Sequence, residues 1–274
     1  MTAVNEYFAG KAEKYDDVDL QPYWVFSDEL LWELLKAKAL PNEQKGEFEL
    51  LDAGAGTARW SAKTLLHFPN ATASLVDISA EMLSEAQQKL DHLKLSHRAH
   101  IRVDDVRKMD HIENGSIDVI YCLHNVIGFF ENTVDAIFTF FKKLKKGGKC
   151  AVMFPSFYHA IYFSNSTGRV GQLEKITKNR RVQYNDLMPP LKVFEVEEIN
   201  FFAQIAGFEK VECYGFPLTI YPGMDETFLH GSTAQLVKMF EEPHRSNLME
   251  IEKRLCLKSD LCSRGNNILA VFEK

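Results

Sequence analysis

The sequence predicts an α/β fold, a parallel sheet covered by helices on both faces. Three observations support this fold class. Apolar, strand-like runs at residues 48–52, 73–76 and 117–122 alternate with longer helix-like runs. Each separating run is long enough for a crossover helix, and turn residues such as Asn114-Gly115 mark the boundaries. Strands and helices in this order form βαβ units, which bind ligands at the carboxyl ends of the strands.

The remaining elements follow from local signals. An amphipathic helix over residues 28–40 should stop before Pro41, because proline restricts the residue that precedes it. Ser79 is a suitable N-cap for the second crossover helix. Gly147-Gly148 should end the helix before the fifth strand. The predicted helices cover residues 57–67, 79–95 and 133–144, and the further strands cover residues 100–103 and 149–154.

The most informative motif is FELLDAGAGTARW at residues 48–60, in which an apolar strand runs into a glycine loop and then a helix. Gly54 and Gly56 lack the Cβ atoms that would block a ligand, and the helix beginning near Thr57 points free N–H groups at it. Dinucleotides and S-adenosylmethionine (SAM) both use such loops. Arg59 occupies the third position of G-x-G-x-x-G and disfavours a dinucleotide, whereas Asp52 suits the ammonium of an amino-acid ligand.

Acidic residues recur at the ends of successive predicted strands. Asp77 ends the second strand, where a doubly wound fold places the carboxylate that binds ribose hydroxyls. Ile78 could pack on an adenine ring, and Asp105 with the Val106 amide could bind the adenine edge. A single Asp in such a place is more often a helix cap or a turn residue. The shared register of these acids nevertheless favours one ligand crevice.

Composition excludes several functional classes. The net charge of -6 and the dispersed basic residues disfavour nucleic acid as a partner. The first residues lack the pattern of a signal peptide, and no window approaches 18 uncharged apolar residues, so we expect no membrane association and a cytoplasmic location. The five cysteines are scattered without a C-x-x-C pair, which indicates reduced thiols. We expect no metal site.

The motifs resemble those of the class I SAM-dependent methyltransferases, small-molecule branch. The matching segments are LLDAGAGTA, SLVDIS, VDDVRKM, IDVIYCLHNVIGFF and LKKGGKCAVMF, within residues 48–154. This resemblance implies a Rossmann-like seven-stranded sheet with a terminal antiparallel strand, SAM as cofactor and methyl transfer as reaction. FAGKAEKYDD resembles a segment whose tyrosine, here Tyr15, caps the SAM carboxylate. The implied cofactor contacts are Tyr15, Asp52, Gly54, Gly56, Thr57, Asp77, Ile78, Asp105, Val106, Cys122 and Leu123.

His124 and Asn125 are the candidate catalytic residues, because they directly follow the fourth strand. In-line methyl transfer needs orientation and exclusion of water, and a base only when the acceptor arrives protonated. His124 could be that base, or it could only shape the pocket. The segment CLHN lacks the Asn/Asp-Pro-Pro-Tyr/Phe motif of methyltransferases that act on nucleic-acid bases. It is similar to the segment in small-molecule methyltransferases, so we expect a small acceptor that is methylated at N or O.

The sequence suggests four parts of the chain. We expect an N-terminal helical lid at 1–46, a SAM-binding core at 47–155, a cap insertion at 156–192, and a C-terminal part at 193–274 with a helical insertion at 216–265. The aromatic insertions should bind the acceptor through Tyr158, Tyr162, Arg169, Tyr184 and Tyr221. Two other functions stay open, a SAM-binding regulatory or partner protein without transferase activity and an NAD(P)-dependent oxidoreductase. A homodimer is also left open.

Overall fold

A seven-stranded mixed sheet organises the computed structural model, which describes residues 3–43, 46–220 and 239–274. The strands of the described residues are β1 (Glu49–Ala53), β2 (Thr72–Asp77), β3 (Ala99–Val103), β4 (Ile117–Cys122), β5 (Leu144–Pro155), β6 (Arg181–Val182), β7 (Leu191–Lys192), β8 (Lys210–Phe216) and β9 (Asn267–Glu273). The order of the strands across the seven-stranded sheet is β3-β2-β1-β4-β5-β9-β8, and β6 pairs with β7 in a separate hairpin.

The helices of the described residues lie between these strands and before the first of them. They are α1 (Ala3–Ala9), α2 (Pro22–Lys38), α3 (Arg59–His67), α4 (Ala80–His92), α5 (Thr133–Lys143), α6 (Phe157–Ser166), α7 (Gly171–Asn179), α8 (Val196–Ala206) and α9 (His244–Leu255). Short 3₁₀ segments cover Ala12–Leu20, Ser96–Arg98, Val126–Phe129 and Ser259–Arg264. None of these helices combines the length and the apolar character needed to span a membrane.

The pairing of the strands confirms the predicted α/β fold. Strand β1 pairs in parallel with β2 and β4, and β3 and β5 extend the parallel part on either side. Strand β9 is antiparallel to both β5 and β8, as the resemblance implied for the terminal strand. Crossover helices carry the chain back between parallel strands, so the carboxyl ends of β1 to β4 open on the same edge.

Both faces of the sheet are buried. Leu50 and Leu51 are neighbours in β1 and are both fully buried, but they belong to two different apolar clusters. Successive side chains of a strand point to opposite faces, so one cluster lies on each side of the sheet. The cluster around Leu50 includes α2 and α3, and the cluster around Leu51 includes α5 and α8.

Helix α2 belongs to the main core. It begins at Pro22, six residues before the predicted start, because proline suits the first position of a helix. Phe26, Leu30, Leu31 and Leu35 are almost completely buried against the sheet. A helix packed in this way cannot move without opening the core. The N-terminal helical lid at 1–46 and the other domain boundaries stay predictions, and the burial of α2 argues against motion of its residues 22–38.

The junction between α5 and β5 differs from the prediction. The helix ends at Lys143, and the strand already begins at Leu144, so Gly147 and Gly148 lie inside β5. The register between β4 and β5 shifts between Ile117 and Val119, which accommodates the extra residues. Gly147 has a φ of 77°, which glycine adopts without a steric cost. The glycines thus form an irregular strand start and do not cap the helix.

The insertion after β5 packs around a small apolar cluster of its own. Helices α6 and α7 and the β6–β7 hairpin bury Ala160, Ile176 and Leu191 in this cluster. Further along, the fully buried Glu252 of α9 accepts hydrogen bonds from the backbone N–H groups of Leu218 and Thr219. This carboxylate ties α9 to the chain that follows β8.

The burial of α2 leads to a first prediction. Leu30→Ala should lower the free energy of unfolding by about 2–5 kcal/mol, because it leaves a cavity in the core. Leu20→Ala is the matched control, since Leu20 is 81% exposed and its loss should cost less than about 0.5 kcal/mol. Urea unfolding of both variants measures the difference. Equal effects would show that α2 does not belong to the core.

Candidate functional site

A cavity of about 300 Å³ lies at the carboxyl ends of β1, β2, β3 and β4. It is the place where an open α/β sheet binds its ligands. The structure brings together here most of the residues that the sequence assigned to the cofactor and one of the two candidate catalytic residues. Those that line the cavity are Tyr15, Asp52, Gly54, Gly56, Asp77, Ile78, Asp105, Val106, Leu123 and His124.

The glycine loop runs directly under this cavity. Gly54 has a φ of 88°, and a Cβ atom at this position would lie 2.7 Å from both methyl groups of Val126. Its N–H donates to the Val76 carbonyl over 2.7 Å, which fixes the loop against β2. Two features therefore require glycine at Gly54: the left-handed backbone, and the close approach of the segment after β4.

Ala58 also has a left-handed backbone, a conformation that alanine rarely adopts and that no local signal predicted. Its φ is 62°, and its side chain is fully buried at the start of α3. Alanine pays about 1–2 kcal/mol for this conformation. The turn between β1 and α3 therefore requires three positive φ values, at Gly54, Gly56 and Ala58.

Asp77 lies at the end of β2, partly buried in the cavity wall. Its carboxylate accepts hydrogen bonds from the N–H groups of Gly56 and Ser79, each over 2.9 Å. Burial raises the pKa of Asp77, and these backbone hydrogen bonds oppose the change. The adjacent Ile78 leaves 45% of its surface exposed and lines the cavity. A carboxylate and an exposed apolar side chain thus stand side by side.

Asp52 is a second carboxylate of the cavity and is almost completely buried. Burial raises its pKa to about 6, although the hydroxyl of Ser61 donates a hydrogen bond to it. The charge of Asp77 raises this pKa further. A buried carboxylate with little compensation favours a cationic group beside it.

The segment after β3 contributes Asp104 and Asp105 to the cavity wall. Asp105 is paired with Arg107, whose Nη2 lies 2.6 Å from it, and this hydrogen bond lowers the pKa of Asp105. Asp104 lies 2.9 Å from Nδ1 of His111 and accepts the N–H of Asp105 over 2.7 Å. The carboxylate of Asp105 is thus already engaged, and its role at an adenine edge stays a prediction.

The N-terminal segment covers one side of the cavity through Val4, Phe8 and Tyr15. Burial raises the pKa of Tyr15 to about 12, so its hydroxyl stays protonated. Asp16 fixes this segment, because it accepts a hydrogen bond from Thr57 over 2.6 Å and pairs with Lys89 at 2.5 Å. These contacts hold the segment against the start of α3 and the last turn of α4.

Arg59 connects the same segment to α2. Its Nη2 atom pairs with Asp19 of the 3₁₀ segment and lies 2.7 Å from Oδ2 of Asp28 in α2. Only 12% of the Arg59 side chain is exposed, and it also lines the cavity. From the sequence, Arg59 only disfavours a dinucleotide, and its place in the site becomes visible in the structure.

His124 lines the cavity on the same side as Trp60. The centroids of the two rings lie 5.6 Å apart, and the ring planes are inclined by 33°. Burial lowers the pKa of His124, so the imidazole is neutral near pH 7. Asn125 is not among the lining residues, and both residues have positive φ values, 49° and 65°.

Several predicted residues do not line this cavity. Thr57 is buried and donates to Asp16, and Cys122 is fully buried in the core, where burial raises the pKa of its thiol. Tyr158 and Tyr162 are about half exposed. Tyr184 contacts Phe163 in the insertion, Arg169 pairs with Asp186, and Tyr221 lies outside the described residues. The part of these residues in ligand binding stays a prediction.

Other lining residues had no distinctive signal in the sequence. They include Phe8, Trp60, Met82, Arg107, Phe129, Phe130 and Glu131. Aromatic side chains at such positions look like ordinary core residues until the fold brings them together. Phe8, Trp60, Arg107, Phe129 and Phe130 lie inside the segments quoted above, but nothing in those segments assigned these side chains to the site, and Met82 and Glu131 lie outside the segments.

Comparison with known families agrees with this geometry. The model of the family described as "Methyltransferase domain" matches residues 50–148, the region from β1 into β5. Residues 50–148 form a class I SAM-dependent methyltransferase domain. Its cofactor is SAM, and the protein is a SAM-dependent methyltransferase enzyme. No curated protein matches the chain significantly in sequence.

Solved structures share the fold of this methyltransferase at low sequence identity. A SAM-dependent methyltransferase from Thermotoga maritima, described as a possible histamine N-methyltransferase, is 15% identical with a TM-score of 0.59, over 99% of both chains. A geranyl diphosphate methyltransferase, solved with GPP and sinefungin, is 12% identical with a TM-score of 0.51, over 88% of this chain and 75% of its own. The YcgJ protein from Bacillus subtilis is 14% identical with a TM-score of 0.54, over 90% of this chain and 98% of its own.

The close packing at Gly54 leads to a second prediction. Gly54→Ala should cost about 1–3 kcal/mol of stability beyond the backbone strain, because its Cβ meets Val126, and it should weaken SAM binding. Gly115→Ala is the matched control, since Gly115 has a similar φ of 70° and no atom within 4 Å of the added Cβ. Urea unfolding and calorimetry measure both effects. Equal losses in the two variants would contradict this role of Gly54.

The buried Asp52 leads to a third prediction, on pH dependence. Burial raises its pKa from 3.8 to about 6 in the folded state, so the fold favours the protonated carboxyl. The resulting contribution to the free energy of unfolding is fully present below about pH 4 and is lost as the pH rises through about 6. Asp52→Asn should therefore raise the free energy of unfolding at pH 7 by up to about 3 kcal/mol. Urea unfolding at several pH values measures this. An unchanged pH dependence in the variant would contradict it.

Proposed function

We propose that this enzyme transfers the methyl group of SAM to a nitrogen or oxygen atom of a small-molecule acceptor. The observation that carries the proposal is the cover that Val4, Phe8 and Tyr15 form over the cavity. A cavity of about 300 Å³ with such a cover suits a small ligand, whereas a polymer needs an open groove. The net charge of -6 further disfavours nucleic acid.

The residues of the cavity fit SAM. Asp77 ends β2 with its carboxylate at the cavity, as needed to accept ribose hydroxyls, and the exposed face of Ile78 suits an adenine ring. Asp52 would meet the ammonium group, and Gly54 leaves room for the methionine end. Arg59 and Tyr15 supply a cation and a protonated hydroxyl for the carboxylate. Bound SAM supplies an activated methyl group on a sulfonium.

The protein itself contributes orientation and exclusion of water. The aromatic side chains of Phe8, Trp60 and Phe129 give the acceptor side of the cavity an apolar wall. An acceptor held there by apolar contacts needs only a few polar groups to fix its reacting atom. His124 is the polar group of this wall that we assign to the acceptor.

A nitrogen or oxygen atom is favoured as the methyl acceptor because His124 can take up the proton that such an atom carries. The neutral imidazole can accept a proton from an amine or a hydroxyl. The name of the Thermotoga maritima neighbour refers to an amine, which supports nitrogen without deciding between the two. A contribution of Asn125 and of the tyrosines of the insertion, a homodimer and a cytoplasmic location all stay predictions.

Ligand-induced stabilisation tests the function directly. At a concentration of about 100 Kd, SAM or S-adenosylhomocysteine should stabilise the protein by about 2.7 kcal/mol, and NAD and NADP should not. Mass spectrometry of metabolite mixtures incubated with enzyme and SAM should then detect a product with one added methyl group. Methylation of nucleic acid or protein, but of no metabolite, would contradict the proposal. Stabilisation by NAD alone would contradict the cofactor.

Asp77 provides the fourth prediction. Asp77→Ala should weaken SAM binding by about 1–3 kcal/mol through the loss of charge-assisted hydrogen bonds. Asp77→Asn should lose less, because its amide oxygen can still accept a hydrogen bond from a hydroxyl. Calorimetry on folded variants measures both. Unchanged affinity in Asp77→Ala would refute the assignment of the ribose site.

A further inference from the structure

Nε2 of His124 lies in an enclosed position beside a single carboxylate. Among the described residues, this buried nitrogen has no hydrogen-bond partner. Oδ1 of Asp28 lies 3.7 Å from it. The side chains of His124 and Asp28 are only 17% and 11% exposed. The distance is longer than a hydrogen bond, but such contacts often shorten when an enzyme binds its ligands.

Asp28 is held in place by two independent constraints. Its helix α2 is anchored in the core by Phe26, Leu30 and Leu31. Its other oxygen, Oδ2, accepts a hydrogen bond from Arg59 over 2.7 Å. One oxygen therefore fixes the carboxylate, and the second remains directed to the side of His124.

The imidazole of His124 is also restrained. Trp60 packs against its ring at 5.6 Å, and the backbone of His124 has a φ of 49°. A non-glycine residue adopts this conformation only when the surrounding structure holds it, and such strain often marks a functional site. The residue lines the cavity, so a ligand that enters the cavity can contact it.

We propose that Asp28 is a positioning residue for His124, which acts as the proton acceptor of methyl transfer. The carboxylate keeps the imidazole proton on Nε2, leaves the lone pair of Nδ1 for the acceptor, and stabilises the imidazolium that forms. The role rests on the proposed function. It requires an acceptor whose reacting nitrogen or oxygen carries a proton.

The step balances in atoms and charge. The lone pair of the acceptor atom forms the new bond to the methyl carbon, and the carbon–sulfur bond breaks with its electron pair left on sulfur. The proton of the acceptor passes to Nδ1 of His124 and afterwards to solvent. His124 is neutral again at the end of the turnover.

Three charged groups act on His124 from the elements around it. Asp28 of α2 and Asp19 of the 3₁₀ segment favour the imidazolium, and Arg59 of α3 disfavours it. Burial is the largest influence and lowers the pKa of His124. Asp28 is the carboxylate nearest to the ring, so its charge should matter more than that of Asp19.

The tautomer of the neutral imidazole tests the proposal on the unaltered protein. NMR of the protein with ¹⁵N-labelled histidine, bound to S-adenosylhomocysteine, reports which ring nitrogen carries the proton, and His124→Gln assigns the signal. We expect the Nε2–H tautomer. An Nδ1–H tautomer would overturn the proposal, because the lone pair would then face Asp28.

Titration of the same signal measures the charge of Asp28. Asp28→Asn should lower the pKa of His124 by about 1 or more, because it removes an opposite charge about 4 Å away. Asp28→Glu should restore most of this difference. Asp19→Asn is the matched control, since it also removes a carboxylate from Arg59 but does not adjoin His124, and its effect should be much smaller. Equal effects of Asp28→Asn and Asp19→Asn would overturn the proposal.

These measurements are independent of the identity of the acceptor. If the tautomer and the titration agree with the proposal but no metabolite is methylated, the proposed function fails and the interaction of Asp28 with His124 stands. If a metabolite is methylated and the acidic limb of kcat/KM against pH is unaltered in Asp28→Asn, the function stands and the positioning role fails.

Discussion

The charge of Arg59 is the constraint on which the geometry of this site depends. The Arg59 side chain is nearly buried and lies among three carboxylates. Asp16 and Asp19 belong to the 3₁₀ segment, and Asp28 belongs to α2. Without this guanidinium, the carboxylates would repel each other beside a cavity that already contains Asp52. Breaking a buried ion pair costs about 3–5 kcal/mol. Arg59 therefore joins the N-terminal cover, the core helix α2 and the glycine loop into one unit.

Two acids of the cavity, the buried Asp52 and the partly buried Asp77, have the opposite effect on stability. Asp52 and Asp77 both have raised pKa values because burial removes their water. The fold bears this cost at neutral pH until a ligand brings partners for them. An ammonium group and ribose hydroxyls, which SAM would bring in the proposed binding mode, are such partners.

The parts of the site that were predictable depend on local sequence. The register of Asp52 and Asp77 follows from strands that end at a common edge, and Gly54 and Gly56 reveal the loop because few other residues adopt its conformation. The rest depends on contacts between distant segments. Asp28 and Arg59 are 31 residues apart, and nothing in the sequence pairs them. Ala58 has a left-handed conformation that is typical of glycine, and its residue type does not reveal this. The aromatic composition of the insertion likewise does not reveal that Tyr158 is outside the lining of the cavity.

A crystal structure of the complex with S-adenosylhomocysteine would show whether this cavity holds the cofactor as proposed. We expect the ribose hydroxyls to bind Asp77, the amino group to lie next to Asp52, and the sulfur to face the side of Trp60 and His124. A ligand with its ribose away from Asp77, or with its sulfur turned from His124, would contradict the assignment of this cavity.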